Sequence, residues 1–244
     1  MMDTTYSDTN KSVDINKIIE DIDNKATEKL MNSYADGSVS IPQIIPLDSK
    51  TTTISIDNTK LDNTIEKFKN MEAILALDNK NGLSKENKIP WDCKKDLKFF
   101  YDTTVNNVVI MGKNTYFSLP ERIRPLKNRL NIVLTSQPDR YLEDTSTNNE
   151  VIFTNNENIY KAILNNREKT TRSYPFLSRN FKIYIIGGKL VYEKFIPLCQ
   201  SVWVSRIKND YSCDLFFDYD IEKEFKEVQS GEDDDFKISK YTKK

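Results

Sequence analysis

In the run NGLSKENKIPWDCKKDLKFFYDTT, residues 81–104, a glycine-containing loop passes Pro90 and Trp91 and enters a helical pattern near residue 94. Asp96 precedes Phe99 by three positions and Phe100 by four, so the carboxylate and both rings share one side of that helix. A carboxylate on such a face is shielded from water, which disfavours its charged form and raises its pKa. That environment suits an acid–base group or an anchor for a ligand's N–H groups. The plainer alternative is a solvated first-turn acid, favourable with the helix macrodipole. The local pattern leaves both open. The chain contains no histidine at all. Ser–His and Cys–His nucleophilic catalysis, histidine-ligated zinc and histidine base chemistry are thereby excluded. Any acid–base step falls to a carboxylate, Lys, Tyr, Cys or water.

Two further clusters carry binding chemistry. In VVIMGKNTYFSLPERIRPLKNRLNIVLTSQP, residues 108–138, an apolar run ends at Gly112, and Lys113, Asn114 and Thr115 open a helical turn. Free N–H groups beside a lysine suit an anion. The next apolar run, LNIVLT, ends at Thr135 and Ser136, two hydroxyls at a strand's carboxyl end, where ligands of open α/β sheets gather. Arg124 and Arg129 lie between the runs. Either can clamp a carboxylate with its fork of N–H groups, or stand solvated in a loop. In KIYIIGGKLVYEKF, residues 182–195, Gly187 and Gly188 close an apolar run and a helical pattern starts at once. Two glycines permit torsions and a ligand approach that a Cβ forbids, though a tight strand–helix turn needs them equally. Neither G-x-G-x-x-G nor the P-loop pattern is present.

The elements that must hold these residues follow from periodicity. EAILALD (72–78), VVIMG (108–112), LNIVLT (130–135), KIYIIGG (182–188) and SVWVSRI (201–207) are short, β-branched and apolar on both faces. Such strands belong in a sheet covered by helices on both sides. Helical patterns over 94–104, from 114, over 157–166 and over 189–195 alternate with them, which predicts an α/β domain with a mainly parallel sheet. Residues 165–180 read as a long polar surface excursion, and EFKEV and FKISKYT as a hairpin around the acidic SGEDDD.

Composition breaks near residue 70. Residues 1–70 hold 12 acidic and 8 basic side chains and have no Phe before Phe68, whereas residues 71–244 hold 25 acidic and 28 basic. The first stretch is expected to be a polar, flexible extension. An amphipathic helical pattern at 13–31 inside it can rest on the main domain or dock a partner protein. Net charge of -1 argues against bulk attraction to nucleic acid. Cys93, Cys199 and Cys213 are widely spaced with no C-x-x-C pair, so neither a disulfide framework nor a thiolate metal site is expected. No apolar run is long enough to span a bilayer and the first residues lack a secretory pattern, so a cytoplasmic protein is expected.

In order, AILALD, GLSKENKIPW, KDLKFF, VIMGKNTY, SLPERIRPLKNRLNIVLTS, YIIGGKLVY and SRI…DLFF make residues 71–244 resemble dihydrofolate reductase. The resemblance implies a three-layer α/β fold with a central mostly parallel sheet, flanking helices and an antiparallel C-terminal hairpin. It implies NADPH-dependent reduction of 7,8-dihydrofolate to tetrahydrofolate by a monomer, serving one-carbon metabolism, with no metal. Asp96 matches the family's active-site acid and Trp91 the tryptophan that holds a water beside it. Ile74 and Ile186 match positions whose backbone carbonyls accept from the pteridine. Phe100 and Leu119 match ring-packing positions, and Ser205 the usual threonine near the acid. Arg129 matches the arginine for the substrate's α-carboxylate, with Arg124 as a further substrate-side candidate. On the cofactor side the resemblance implies Ala76, the lid residues Leu83, Ser84 and Lys88, and Gly112, Lys113, Asn114, Thr115, Leu134, Thr135 and Ser136. It adds the diglycine turn Gly187, Gly188, Lys189, Leu190, Val191 and Tyr192, with a cis Gly–Gly peptide. Ser84, Asn114, Tyr116 and Leu215 depart from the family's usual residues. Two rival readings are a pyrimidine-directed reductase of the same fold, opposed by the Pro-Trp…Asp-Leu-Lys-Phe-Phe run, and a degenerate binding module.

Overall fold

The computed structural model describes residues 70–142, 150–232 and 234–244. What the sequence leads one to expect of residues 1–69, including the pattern at 13–31, lies outside them.

Among the described residues ten strands run in chain order as β1 Met71–Leu77, β2 Gly82–Ser84, β3 Val108–Gly112, β4 Leu130–Leu134, β5 Val151–Thr154, β6 Ile183–Ile185, β7 Ser201–Ile207, β8 Leu215–Phe216, β9 Phe225–Glu232 and β10 Phe236–Lys243. Eight of them form one sheet in the order β5-β4-β3-β6-β1-β7-β10-β9. The six strands from β5 to β7 are parallel, and β10 and β9 add an antiparallel hairpin at one side. The helices are α1 Lys94–Thr104, α2 Lys113–Ser118, α3 Ile159–Asn165, α4 Arg167–Ser173, α5 Lys189–Phe195 and α6 Ile221–Glu224.

The apolar runs behave as their composition requires. β3, β4, β5 and β6 are buried along nearly their whole length, the mark of strands covered on both faces. Parallel alignment brings the carboxyl ends of β1, β3, β4 and β6 to one edge of the sheet. One large apolar cluster under that edge joins Ile74, Met111, Tyr116, Val133, Phe153 and Ile186, with Phe99 and Phe100 of α1, Leu119 and Trp203 packed against it.

Two features differ from the sequence reading. The expected excursion over 165–180 contains α4, which has no buried residue and so shows no apolar stripe. Its Thr170 and Thr171 hydroxyls bond back to the Asn166 and Arg167 carbonyls at 2.9 and 3.1 Å. The other is β5, a strand of only four residues that its polar flanks conceal in the sequence, yet buried throughout.

The chain leaves β1 through a clasp. Asp78 is fully buried, and its carboxylate accepts the Lys80 and Gly82 N–H groups at 2.8 and 2.7 Å and that of Tyr211 at 3.2 Å. Burial pushes this acid up, but those N–H groups and the Cys213 thiol together bring it below the usual carboxylate value. Gly82 is obligatory here, because a Cβ would stand 2.4 Å from Cys213 Cβ and 2.8 Å from Asp78 Oδ2.

Candidate active site

β1 pairs with β6 only as far as Ala73 opposite Ile185, whereas its pairing with β7 continues to Leu77. Beyond Ala73 the two central strands therefore part, and a crevice opens at their carboxyl ends, the place where open parallel sheets take their ligands. Tyr192 of α5 reaches into it, and its hydroxyl donates to the Ile74 carbonyl at 2.9 Å. Ile186 follows β6 directly and donates its N–H to the Ile110 carbonyl at 2.9 Å. A carbonyl oxygen has two lone pairs, so Ile74 keeps one for a ligand N–H.

Asp96 faces this crevice from the first turn of α1 and is only 8% exposed. Burial raises its pKa, partly offset by a hydrogen bond from the Ser205 side chain. The helix macrodipole acts the other way in a first turn, so desolvation is the stronger effect. Ser205 lies on β7 opposite Ala76 of β1 and is itself buried. Burial and the charge of Asp96 also raise the Tyr192 hydroxyl, which stays a neutral donor. Trp91 is buried with Cys93, Cys213 and Phe236, its ring edge-on to Tyr211 at 5.6 Å.

Farther along α1 the site becomes cationic. Arg129 is 5% exposed and donates to the Thr104 hydroxyl at 3.0 Å and the Lys127 carbonyl at 3.2 Å, both neutral oxygens. Its guanidinium lies 5.9 Å from the Phe100 ring centre and 5.3 Å from that of Tyr101. Arg124 is placed differently. It pairs with Glu121 at 3.0 Å and donates to the Phe117 and Leu119 carbonyls, which fastens the end of α2. Both of these bonds from Arg129 go to neutral oxygens, while burial lowers the guanidinium's pKa and the charges of Tyr101 and Glu150 partly restore it.

On the far side of the crevice, β3 and β6 bring their following turns together. The Gly187–Gly188 peptide is cis, and Gly187 has φ +120°. Gly112 donates to the Gly187 carbonyl at 2.8 Å. A Cβ on Gly188 would stand 3.1 Å from Thr115 Oγ1, and one on Gly187 would stand 3.3 Å from the Tyr192 ring. Bare backbone therefore faces Thr115 at the start of α2, a cradle that any side chain would fill. Lys113 and Asn114 are exposed beside it. Lys189 pairs with Asp218, and Leu190 is 78% exposed. Thr135 accepts the Gln137 N–H at 3.3 Å, with Leu134 half-buried before it and Ser136 exposed after it.

The loop leaving the clasp is a hairpin. β2 pairs with β8, Ser84 lying opposite Leu215, and Lys85 and Lys88 exchange backbone bonds of 2.9 Å around Glu86 and Asn87. Those two residues have φ 49° and 60°. Asp214 holds the turn by accepting the Glu86 N–H at 2.7 Å. Leu83 and Ser84 are half-buried and Lys88 exposed.

Sequence reasoning did not single out Leu126 or Ile89. Leu126 is 5% exposed in the cluster with Ile74 and Ile186, and its backbone is fixed by Asn131, whose side chain bonds both its N–H and its carbonyl. The Pro-Leu pair between two arginines was the available signal. Ile89, 58% exposed just before Pro90-Trp91, is an apolar side chain at the lid's end. Among the described residues no group of His, Cys, Asp and Glu is arranged to hold a metal ion.

Comparison with known proteins agrees with this geometry. The family model for dihydrofolate reductase matches residues 70–243. A dihydrofolate reductase of Ureaplasma parvum is 36% identical over 139 residues, 57% of this chain and 76% of that protein. One from Drosophila melanogaster is 31% identical over 169 residues, 66% of this chain and 85% of its own. Among solved structures, Enterococcus faecalis dihydrofolate reductase complexed with NADP(H) and RAB-propyl superposes with a TM-score of 0.54 at 26% identity, covering 71% of this chain and 95% of that one. With a family match across the whole sheet and its crevice, the chain belongs to the dihydrofolate reductase family.

Proposed function

We propose that the chain reduces 7,8-dihydrofolate to 5,6,7,8-tetrahydrofolate with NADPH, and that residues 71–244 carry the reaction. The observation that carries this reading is one desolvated carboxylate, Asp96, at the crevice between β1 and β6 in a chain without histidine. The cofactor fits the residues present, because the Gly187–Gly188 backbone forms a cradle against Thr115 beside Lys113. Bound NADPH supplies the hydride. Lys113, Asn114, Thr115, Thr135, Ser136 and the turn from Gly187 to Tyr192 would hold its phosphates, with Ala76 and the Leu83–Lys88 loop along the nicotinamide.

The substrate's ring nitrogen is weakly basic, and its neighbouring carbon accepts hydride more readily once that nitrogen carries a proton. Asp96 anchors the pteridine's amino and ring N–H groups, and Ser205 orients the carboxylate. Trp91 holds the water through which a proton reaches the ring. Ile74 and Ile186 offer backbone carbonyls, Phe100 and Leu119 pack the rings, and Arg129 takes the α-carboxylate with a bidentate fork. We place the enzyme in the cytoplasm as a monomer feeding one-carbon and thymidylate metabolism, with residues 1–70 outside the catalytic domain and open to a partner protein.

Loss of NADPH absorbance on adding dihydrofolate tests the reading directly. Asp96→Asn should lower kcat by roughly 10²–10⁴-fold. The loss should shrink at acidic pH, where substrate arrives protonated. No dihydrofolate-dependent oxidation in the parent would refute the activity, and unchanged turnover in the variant would refute the role of Asp96.

A further inference from the structure

Beneath the crevice the sheet holds a further buried carboxylate that the reaction does not use. Glu72 is 4% exposed on β1, two positions before Ile74 and four before Ala76. Alternate residues share a strand face, so all three lie on one face, with Glu72 about 13 Å along the strand from Ala76. That separation keeps it from a pteridine held at Asp96. Burying a carboxylate is costly without partners, and Glu72 has two. Its Oε1 accepts from Lys182 Nζ at 2.6 Å, and its Oε2 accepts from the Trp203 indole N–H at 2.9 Å. A charged acceptor makes both bonds stronger than neutral ones. Tyr184, opposite Glu72 on β6, and Cys199 also face it, and burial together with this charge raises both.

Trp203 reaches on to the helix that carries the acid. It lies opposite Ile74 on β7, and its ring packs edge-on against Phe99 of α1, centroids 5.3 Å apart at 65°. Lys240 Nζ stands 4.8 Å from the centre of the same ring. Ser205, two residues farther along the same strand face, bonds Asp96. Asp96 and Phe99 are three apart on one side of α1. β7 therefore grips α1 at two points, Ser205 on Asp96 and Trp203 on Phe99, and the indole at the second point is held by Glu72.

We propose that Glu72 is a positioning residue for the reduction: it holds the Trp203 indole by its N–H and, through Phe99, sets the turn of α1 that carries Asp96. The proposal rests on Asp96 as the substrate anchor, and acts on that anchor without touching substrate or cofactor.

The test uses the full chain with Glu72→Leu, which removes the acceptor, Glu72→Gln, which keeps one, Trp203→Phe, which removes the donor but keeps a ring, and the Glu72→Leu/Trp203→Phe pair. The first readout is a carbon-13 carboxyl titration of ligand-free protein, with the Asp96 signal identified by its loss in Asp96→Asn. Glu72→Leu and Trp203→Phe should each move the Asp96 titration toward that of a solvated acid, as α1 loosens and admits water. Each should also lower kcat on the order of 10-fold with the KM for NADPH unchanged. Glu72→Gln should stay close to the parent, and the double variant should be no worse than either single, as expected of groups acting in one chain of contacts. An unmoved Asp96 titration in folded Glu72→Leu or Trp203→Phe, or losses that add in the double variant, would overturn the proposal. If Glu72→Leu does not fold, Trp203→Phe against Glu72→Gln decides by the same titration. Because that readout needs no turnover, a parent without activity defeats the functional reading, while the titration still decides whether Glu72 sets the position of Asp96.

Discussion

Asp96 carries a stability cost that its proposed role requires. Its pKa is raised in the folded protein above the ordinary 3.8, with burial as the main cause. Between those two values the folded state binds more protons than the unfolded chain, so stability falls as pH rises through the window. Asp96→Asn should therefore raise Tm at neutral pH, and the gain should vanish below the unfolded carboxylate's pKa; a thermal-melt series against pH checks the sign. The sequence alone leaves Asp96 between a desolvated acid and a solvated first-turn residue. What decides it is Ser205 and the strand beneath, more than a hundred positions away in the chain. The two arginines are likewise indistinguishable in PERIRPLKNR. Arg124 has Glu121 three residues before it, and the structure joins that pair, whereas Arg129 is buried, donates to the Thr104 hydroxyl and the Lys127 carbonyl, and feels the charge of Glu150. Arg129→Lys, which loses the planar fork but keeps the charge, should raise the KM for dihydrofolate roughly 10-fold with little change in kcat. Steady-state kinetics with dihydrofolate varied would show it.

Elements are legible in proportion to their apolar content. The expected strands at 72–78, 108–112, 130–135 and 201–207 match β1, β3, β4 and β7 to within a residue, because continuous β-branched runs have few other uses. β6 is shorter than its apolar run. The chain leaves strand geometry after Ile185, and Ile186 and the two glycines belong to the crevice instead. α4 is hidden for the opposite reason: a helix with no buried residue has no periodicity to read. Glycine at the root of the lid is also invisible as a requirement, since its neighbours Cys213 and Asp78 meet only in three dimensions. Gly82→Ala should cost about 1–3 kcal/mol from forced overpacking, measured by denaturant unfolding.

At the scale of the molecule, the parallel class follows from the strand–helix alternation, but the spatial order does not. β6 returns between β3 and β1, and that insertion creates the crevice by ending its pairing at Ala73. Nothing in the local sequence of either strand states its neighbour. The proposed division of labour along the chain has its own test: removing residues 1–65 should leave dihydrofolate turnover largely intact, and an inactive or insoluble product would assign that stretch a part in the enzyme. If the Leu83–Lys88 loop closes along the cofactor as proposed, the clasp at Asp78 sets where that loop can move. Two peptide N–H groups at the start of the hairpin and one from Tyr211, ahead of β8, converge on one carboxylate at its base, while its tip is held by the Lys85–Lys88 backbone bonds and by Asp214 at Glu86. Breathing should thus be confined to the outer turn, pivoting on an immobile hinge. Amide hydrogen exchange should be slower at the base, buried Gly82 and half-buried Tyr211, than at the exposed turn over residues 86–88, and Asp78→Asn, which turns an acceptor toward a donor, should shrink that contrast.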